Sequence, residues 1–301
     1  MAGHFLRELS PGCPPDVPLK GSTVMASFPT SIRSSKNPRL KQLSRLQTRR
    51  ARKASGRTLV YGRREIARAA EAAIPMHELW VAEEAWHTFD ASWLKQLCES
   101  GTHVFTVPEP LLQPLAYGDR QDGCVAVVSM SETKLHELVL PENPCVAIVE
   151  RVEKPGNLGA IFRSADGAGI AAIVLVDPVT DVSNPNVIRA SMGTVFTIPH
   201  CVTTREEAAA WVRQLGLQLV ATRVDATDLY YEVDLTRPTA VVLGSEAAGL
   251  DDQWRSLGER SVRLPMFGIA DSLNVSATAA VIFYEVLRQR SVKKRQEPRG
   301  S

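Results

Sequence analysis

"CVAIVERVEKPGNLGAIFRSADGAGIAAIVLVD", Cys145 to Asp177, sets two short apolar runs on either side of a helical pattern. The runs CVAIVE and AAIVLVD have the length and β-branched content of strands buried on both faces. Between them, a Pro-Gly turn precedes Leu158, Ile161, Phe162 and Ala165, which recur at helical spacing and so can face a sheet. Strand, helix and strand at this spacing imply a right-handed crossover and parallel pairing. Two polar residues stand out against that frame. Asn157 precedes the apolar stripe, where Asn is a favoured N-cap, and Arg163 lies beside it, where an exposed ion pair would contribute little. Yet strand ends followed by Gly-rich turns are where open α/β sheets place ligands.

The same grammar runs on towards the C-terminus. NPNVIRASMG reads as a short helix, TVFTIPH as a strand, REEAAAWVRQLG as a helix, LQLVAT, TAVVLG and SVRLP as strands, and SLNVSATAAVIFYEVLRQR as a long final helix. The C-terminal half is thus a mostly parallel sheet covered by helices, residues 145–292, with a polar tail at 293–301. On the N-terminal side, the polar, proline-containing stretch SETKLHELVLPENP places a linker at 131–144. Before it, residues 31–130 read as a smaller α/β unit: a basic helical segment from Asn37 carrying Leu40, Leu43 and Leu46, then strands at RTLVYG, HELWVAEE, THVFTV and GCVAVVSM with helices between them. Residues 1–30, rich in Pro, Gly and Ser without periodicity, read as a disordered leader.

Charge separates the two units. The formal net charge is only +2, but Ser31 to Ala70 holds 13 Lys or Arg residues against the single acid Glu65. Arg33, Lys36, Arg39, Arg45, Arg49, Arg50, Arg52, Lys53, Arg63 and Arg64 make up most of that cluster. A solvated helix face usually mixes both signs, so this density is the footprint of a polyanion binder, with nucleic acid the favoured partner. No apolar run approaches the ~20 residues needed to span a bilayer, and the N-terminus lacks a basic region followed by a sustained apolar core, so a cytoplasmic location is expected. Five widely spaced cysteines without a Cys-x-x-Cys pair argue against a disulfide framework and a zinc site.

Two further loops carry chemistry. LGSEAAGL, Leu243 to Leu250, follows the strand TAVVL, and its Gly244 and Gly249 permit a tight turn with close backbone approach to a ligand. It is neither a G-x-G-x-x-G nor a Walker loop, and Glu246 at its centre would repel a phosphate, which disfavours a nucleotide-dependent enzyme. RLPMFGIADSLNVSATAA, Arg263 to Ala280, is a loop running into the last helix near Ser272 or Asn274. Ser272, Asn274 and Ser276 are more polar groups than one cap requires, and the alanines beyond them suit tight packing or a subunit interface.

Each loop alone is a weak signal, but PGNLGAIFRSADGAG, LGSEAAGL and LPMFGIADSLNVSATAAVIFYEVLRQR in this order resemble the three motifs of the SpoU, or TrmH-type, RNA ribose 2'-O-methyltransferases of the SPOUT superfamily. NPRLKQL and LVYGRREIARA are similar to the ribosomal-protein-like RNA-recognition domain that many members carry. The resemblance implies a trefoil-knotted C-terminal sheet, S-adenosyl-L-methionine as cofactor and a homodimer. It implies that Asn157 and Arg163, Glu246, and Ser272 and Asn274 form the catalytic set. Gly244, Leu264 and Leu273, with Leu243 and Met266 adjacent, match the cofactor cradle. One departure is Ala247, where members often have Gly. The N-terminal unit favours ribosomal RNA, most of all 23S-type, over tRNA as substrate, and a non-catalytic RNA-binding or ribosome-assembly protein is the remaining alternative.

Overall fold

Two sheets organise the chain in the computed structural model, which describes residues 29–115, 122–245, 249–250, 253–257 and 260–296. The N-terminal unit contains β1 (Thr30–Ser31), α1 (Pro38–Arg45), α2 (Arg49–Ser55), β2 (Arg57–Tyr61), α3 (Arg63–Glu71), β3 (Met76–Ala82), α4 (Ala91–Glu99), β4 (His103–Val107), α5 (Glu109–Leu112) and β5 (Cys124–Ser129). Its strands are ordered β1-β4-β3-β5-β2, parallel from β1 to β3 and antiparallel from there to β2. Thr30, expected at the end of a disordered leader, is already in β1 and pairs with Phe105; residues 1–28 lie outside the described residues.

The C-terminal unit contains β6 (Cys145–Glu150), α6 (Pro155–Ala168), β7 (Ala172–Val176), α7 (Pro185–Ala190), β8 (His200–Thr203), α8 (Arg205–Gln214), β9 (Gln218–Thr222), β10 (Asp228–Leu229), β11 (Thr239–Leu243), β12 (Arg260–Arg263) and α9 (Val275–Gln296). The order is β10-β12-β9-β11-β6-β7-β8, and every pairing is parallel. β6 and β11 lie side by side in the middle and are buried throughout, which is why both read as uninterrupted apolar runs. The chain moves to β7 on one side of β6, then crosses to β9 beyond β11. That reversal brings the loops following β6, β9, β11 and β12 to one end of the sheet, the position at which open α/β sheets hold ligands.

The basic segment from Asn37 forms two helices rather than one. α1 ends at Arg45, and the Thr48 side chain accepts a hydrogen bond from the Ala51 amide to start α2. TVFTIPH, expected as a strand, is a 3-10 turn over Thr194–Phe196 with β8 starting only at His200. The hydroxyls of Ser191, Thr194 and Thr197 each donate to the carbonyl three residues back, so local side-chain bonds outweigh β-propensity here. The segment between the sheets is not a loose tether: Leu135, Leu138 and Leu140 pack against the second core cluster, and Thr133 bridges Cys201 on β8.

Candidate active site

α6 starts with Pro155 at its first turn, preceded by Lys154, so Asn157 is inside the helix and does not cap it. The cap role that would explain an Asn here is therefore absent, and its side chain serves another purpose. The amide Nδ2 of Asn274 donates to Asn157 Oδ1 at 3.2 Å, joining the first and third motifs across 117 residues of sequence. Asn274 itself caps α9: its Oδ1 accepts from the Ser276 amide at 2.9 Å and from the Ser276 hydroxyl at 2.7 Å. One side chain thus both starts the last helix and fixes the orientation of Asn157. Leu158, Ile161, Phe162 and Ala165 are fully buried against the sheet, as their spacing predicts, while Arg163 is exposed on the same helix.

A cavity of about 600 Å³ opens at the C-terminal ends of β9, β11 and β12. Gly244, Ser245, Gly249 and Leu250 form one wall, Leu264, Met266, Ser272, Leu273 and Val275 another, and Thr222, Arg223, Asp225, Asp271 and Thr278 contribute polar groups. Gly244 is dictated by sterics: a Cβ there would lie 2.5 Å from the Gly249 carbonyl carbon and 2.7 Å from the Leu250 nitrogen. Ser245 and Gly249 exchange two backbone hydrogen bonds of 3.1 Å, with Gly249 at φ +67°. Glu246 and Ala247 lie outside the described residues.

Of the expected cradle, Gly244, Leu264, Met266 and Leu273 line the cavity, as does Ser272. Leu243 does not; it is the last residue of β11 and is fully buried beneath the wall. The size, the bare backbone of the glycine turn and the mixture of apolar patches and polar groups suit a ligand of the dimensions and mixed polarity of S-adenosylmethionine.

Two supporting networks escaped the sequence reading. Arg223, immediately after β9, donates to the Leu250 carbonyl at 3.1 Å and to Asp225 at 3.0 Å, and Arg255 also holds Asp225. These hydrogen bonds, that from Arg223 foremost, keep the Asp225 carboxyl below its ordinary range. At the end of β6, buried Glu150 takes the Arg205 guanidinium on one oxygen, Nε at 2.8 Å, and the Trp254 indole N–H on the other at 2.9 Å. Both networks pin the chain on the far side of the glycine turn. The available signal was polar residues placed directly after apolar strands in a parallel sheet.

The basic cluster divides. Lys36, Arg45, Arg50 and Lys53 are exposed and form no ion pair among the described residues. Arg33 meets Glu83, Arg39 meets Glu78, Arg49 meets Asp181 and Arg64 meets Glu65, while Arg63 stacks over Phe89; all five remain at the surface. Arg52 is a correction. It is only 4% exposed and its guanidinium is bound within the protein, so it does not belong to the phosphate-facing set.

A parallel sheet with its cavity at the strand ends, one wall a glycine turn and the other the loop that leads into α9, is the scaffold of a methyltransferase of the SPOUT type. Residues 144–284 match the SpoU rRNA methylase family, and residues 37–126 match the MRM3-like substrate-binding domain. The chain belongs to the SpoU rRNA methylase family and is an S-adenosylmethionine-dependent RNA methyltransferase. It is 31% identical to the 23S rRNA (uridine(2479)-2'-O)-methyltransferase of Streptomyces viridochromogenes over 85% of this chain and 92% of that one. It is 27% identical to the 23S rRNA (guanosine(2553)-2'-O)-methyltransferase of Bacillus subtilis over 85% and 98% of the two chains. Among solved structures, an RNA 2'-O ribose methyltransferase superposes with TM-score 0.75 at 38% identity, covering 87% of this chain and all of that one. An rRNA methyltransferase from Sinorhizobium meliloti with bound AdoMet does so with TM-score 0.78 at 26% identity, covering 86% and 97%.

Proposed function

We propose that this enzyme transfers a methyl group to a ribose 2'-hydroxyl of 23S-type ribosomal RNA, using residues 31–130 to recognise the RNA and residues 145–292 for chemistry. The observation that carries the reading is the Asn157–Asn274 bond beside a cavity of cofactor size, with a basic unit in the same chain. The donor supplies an electrophilic methyl on a sulfonium, whose departing thioether is neutral. No acid is therefore needed at the leaving group, and the task left to the protein is to deprotonate and align the hydroxyl.

Asn157, held by Asn274, and Arg163 present polar groups on α6, and Ser272 lines the cavity wall. Because a guanidinium holds its proton, Arg163 orients the target nucleotide by its phosphate or hydroxyl, and a phosphate oxygen or water accepts the proton. Glu246 completes this set in the reading. Exposed apolar groups, Phe267, Ile269 and Leu273 in the loop before α9 and Tyr284 and Leu287 farther along that helix, favour a second copy of the chain as their cover. Trefoil threading of the sheet and action in the cytoplasm belong to the same proposal; among the described residues no helix is long and apolar enough to cross a membrane.

The test is incubation with labelled S-adenosylmethionine and unmodified ribosomal RNA or tRNA in parallel, followed by nucleoside mass spectrometry. A 2'-O-methylnucleoside from ribosomal RNA is the expected product. The same product from tRNA alone would replace the substrate, and cofactor binding without transfer to either would end the proposal. Arg163→Ala should lower turnover by ~100-fold or more, the range of a positioned polar group at a reacting centre, with cofactor affinity unchanged; full activity would remove Arg163 from the mechanism.

A further inference from the structure

The N-terminal unit does not merely precede the catalytic unit: it grips one helix of it at both ends. Before α7, Arg52 on α2 donates to Asp181 Oδ2 at 2.9 Å and to Ser183 Oγ at 3.3 Å, and also holds the carbonyls of Leu46 and Gln47 at 3.2 and 2.8 Å. Its guanidinium is thereby bound inside the protein on several sides, as a buried charge requires. Arg49 adds a bond to the Val179 carbonyl at 2.9 Å, and the buried Thr58 hydroxyl on β2 donates to the Ser183 carbonyl. After α7, Arg68 on α3 donates to the Met192 carbonyl.

α7 in turn lies directly on α6, the helix of Asn157 and Arg163. A Cβ on Gly159 would sit 2.5 Å from the Ala190 methyl and 2.7 Å from the Val187 carbonyl oxygen, so no side chain separates the two helices. One hydrophobic cluster runs through the joint, from Val60 and Ile66 to Leu158, Val187 and Ile188. A continuous chain of contacts thus leads from the basic helix α2 through residues 179–183, α7 and α6 to Asn157 and Arg163.

We infer that Arg52, with Asp181 and Ser183, is a positioning device: it fixes the RNA-recognition unit at one distance and angle from Arg163, and so selects which nucleotide reaches the cavity. This rests on the reading that residues 31–130 bind the substrate RNA. The unit then acts as a ruler rather than a tethered anchor, and its loss degrades alignment more than affinity. Arg52 does not line the cavity, and its guanidinium is turned inward to protein groups.

Arg52→Met, Asp181→Asn and the conservative Arg52→Lys test it, with Arg52→Met and Asp181→Asn measured separately so that a failure of one to fold leaves the other. In the protein alone, amide hydrogen exchange should rise in residues 46–60 and 178–193 together, with cofactor affinity within about twofold of wild type. On ribosomal RNA, kcat per folded molecule should fall about tenfold or more while RNA affinity changes by less than about threefold, the signature of lost orientation rather than lost binding. Mapping of 2'-O-methyl positions should show modification spreading to neighbouring nucleotides, and Arg52→Lys should recover part of the loss. A purely structural role would lower thermal stability and leave the mapped position and kcat per folded molecule as in wild type, which would overturn the inference. Exchange confined to one side of the joint would overturn it as well, and that arm is independent of which RNA the wild type methylates.

Discussion

Replacing Gly244 by Ala adds a single methyl group where the chain passes itself. The new Cβ would stand 2.5 Å from the Gly249 carbonyl carbon, 2.6 Å from its oxygen and 2.7 Å from the Leu250 nitrogen, all backbone atoms with no side-chain torsion to yield. Ordinary contact begins near 3.4 Å, so the turn must open by about 0.9 Å, in an interior packed as densely as an organic crystal. That opening strains or breaks the two 3.1 Å hydrogen bonds between Ser245 and Gly249. Overpacking of this kind costs about 1–3 kcal/mol, and if the cofactor demands the native turn, the same energy is subtracted from binding, roughly 5- to 150-fold in Kd. Titration calorimetry with S-adenosylmethionine and thermal unfolding would read both effects. Gly156→Ala is the control, because a Cβ there meets nothing within 4 Å. Cofactor affinity and melting temperature in Gly244→Ala equal to those of the control would refute the assignment of this turn as a cradle wall.

Asn274→Ala should lose a helix cap worth about 1 kcal/mol and the bond to Asn157, lowering stability and turnover together. Asn274→Asp keeps the capping oxygen but not the donor, so it should lose turnover with little loss of stability; unchanged turnover would detach Asn157 from catalysis. Neutralising Arg45, Arg50 and Lys53 to Gln should reduce the slope of log RNA affinity against log salt by roughly 2–3, at about 0.7–0.9 for each phosphate no longer neutralised, and an unchanged slope would move the RNA elsewhere. Glu285 on α9 is held below the usual carboxylate range by hydrogen bonds, first from Arg288 and then from Gln289, against the opposing effect of burial. A depressed value means that its stabilisation is complete above the unfolded carboxyl value, about 4.3, and is lost as pH falls through the folded one. Glu285→Gln should therefore melt below wild type at neutral pH and converge with it in acid; a gap constant with pH would contradict that origin.

Much of the catalytic unit was legible because its signals are local. The β6-α6-β7 frame and the glycine turn follow from residue spacing within about one element, as does a cap at Ser272 or Asn274, between which the structure chooses Asn274. What the sequence concealed depends on distant partners. Nothing in RRARKASG distinguishes Arg52 from Arg50, since only the approach of Asp181 and Ser183, 129 and 131 residues away, buries one and leaves the other in solvent. TVFTIPH departs from its strand-like composition because hydroxyl side chains close on nearby carbonyls. Glu150 looks like the polar end of a strand, although it is 2% exposed and paired to Arg205 and Trp254, from elements 55 and 104 residues on. Asn157 stands out in the sequence, but the ordinary cap role that competes for it falls away only because the helix begins at Pro155.

The bridge between Thr133 and Cys201 bears on how the molecule survives in a crowded solution. β8 ends the seven-stranded sheet, and an uncovered strand margin offers unpaired amides and carbonyls to any other extended chain. By laying part of the inter-sheet segment along that margin and tucking Leu135, Leu138 and Leu140 beneath it, the protein occupies with its own backbone a place where another molecule would otherwise dock and begin an aggregate. Trimming the chain to start at Cys145 would keep every residue of the proposed chemistry in the catalytic half and remove this guard, so such a fragment should precipitate at concentrations the full chain tolerates.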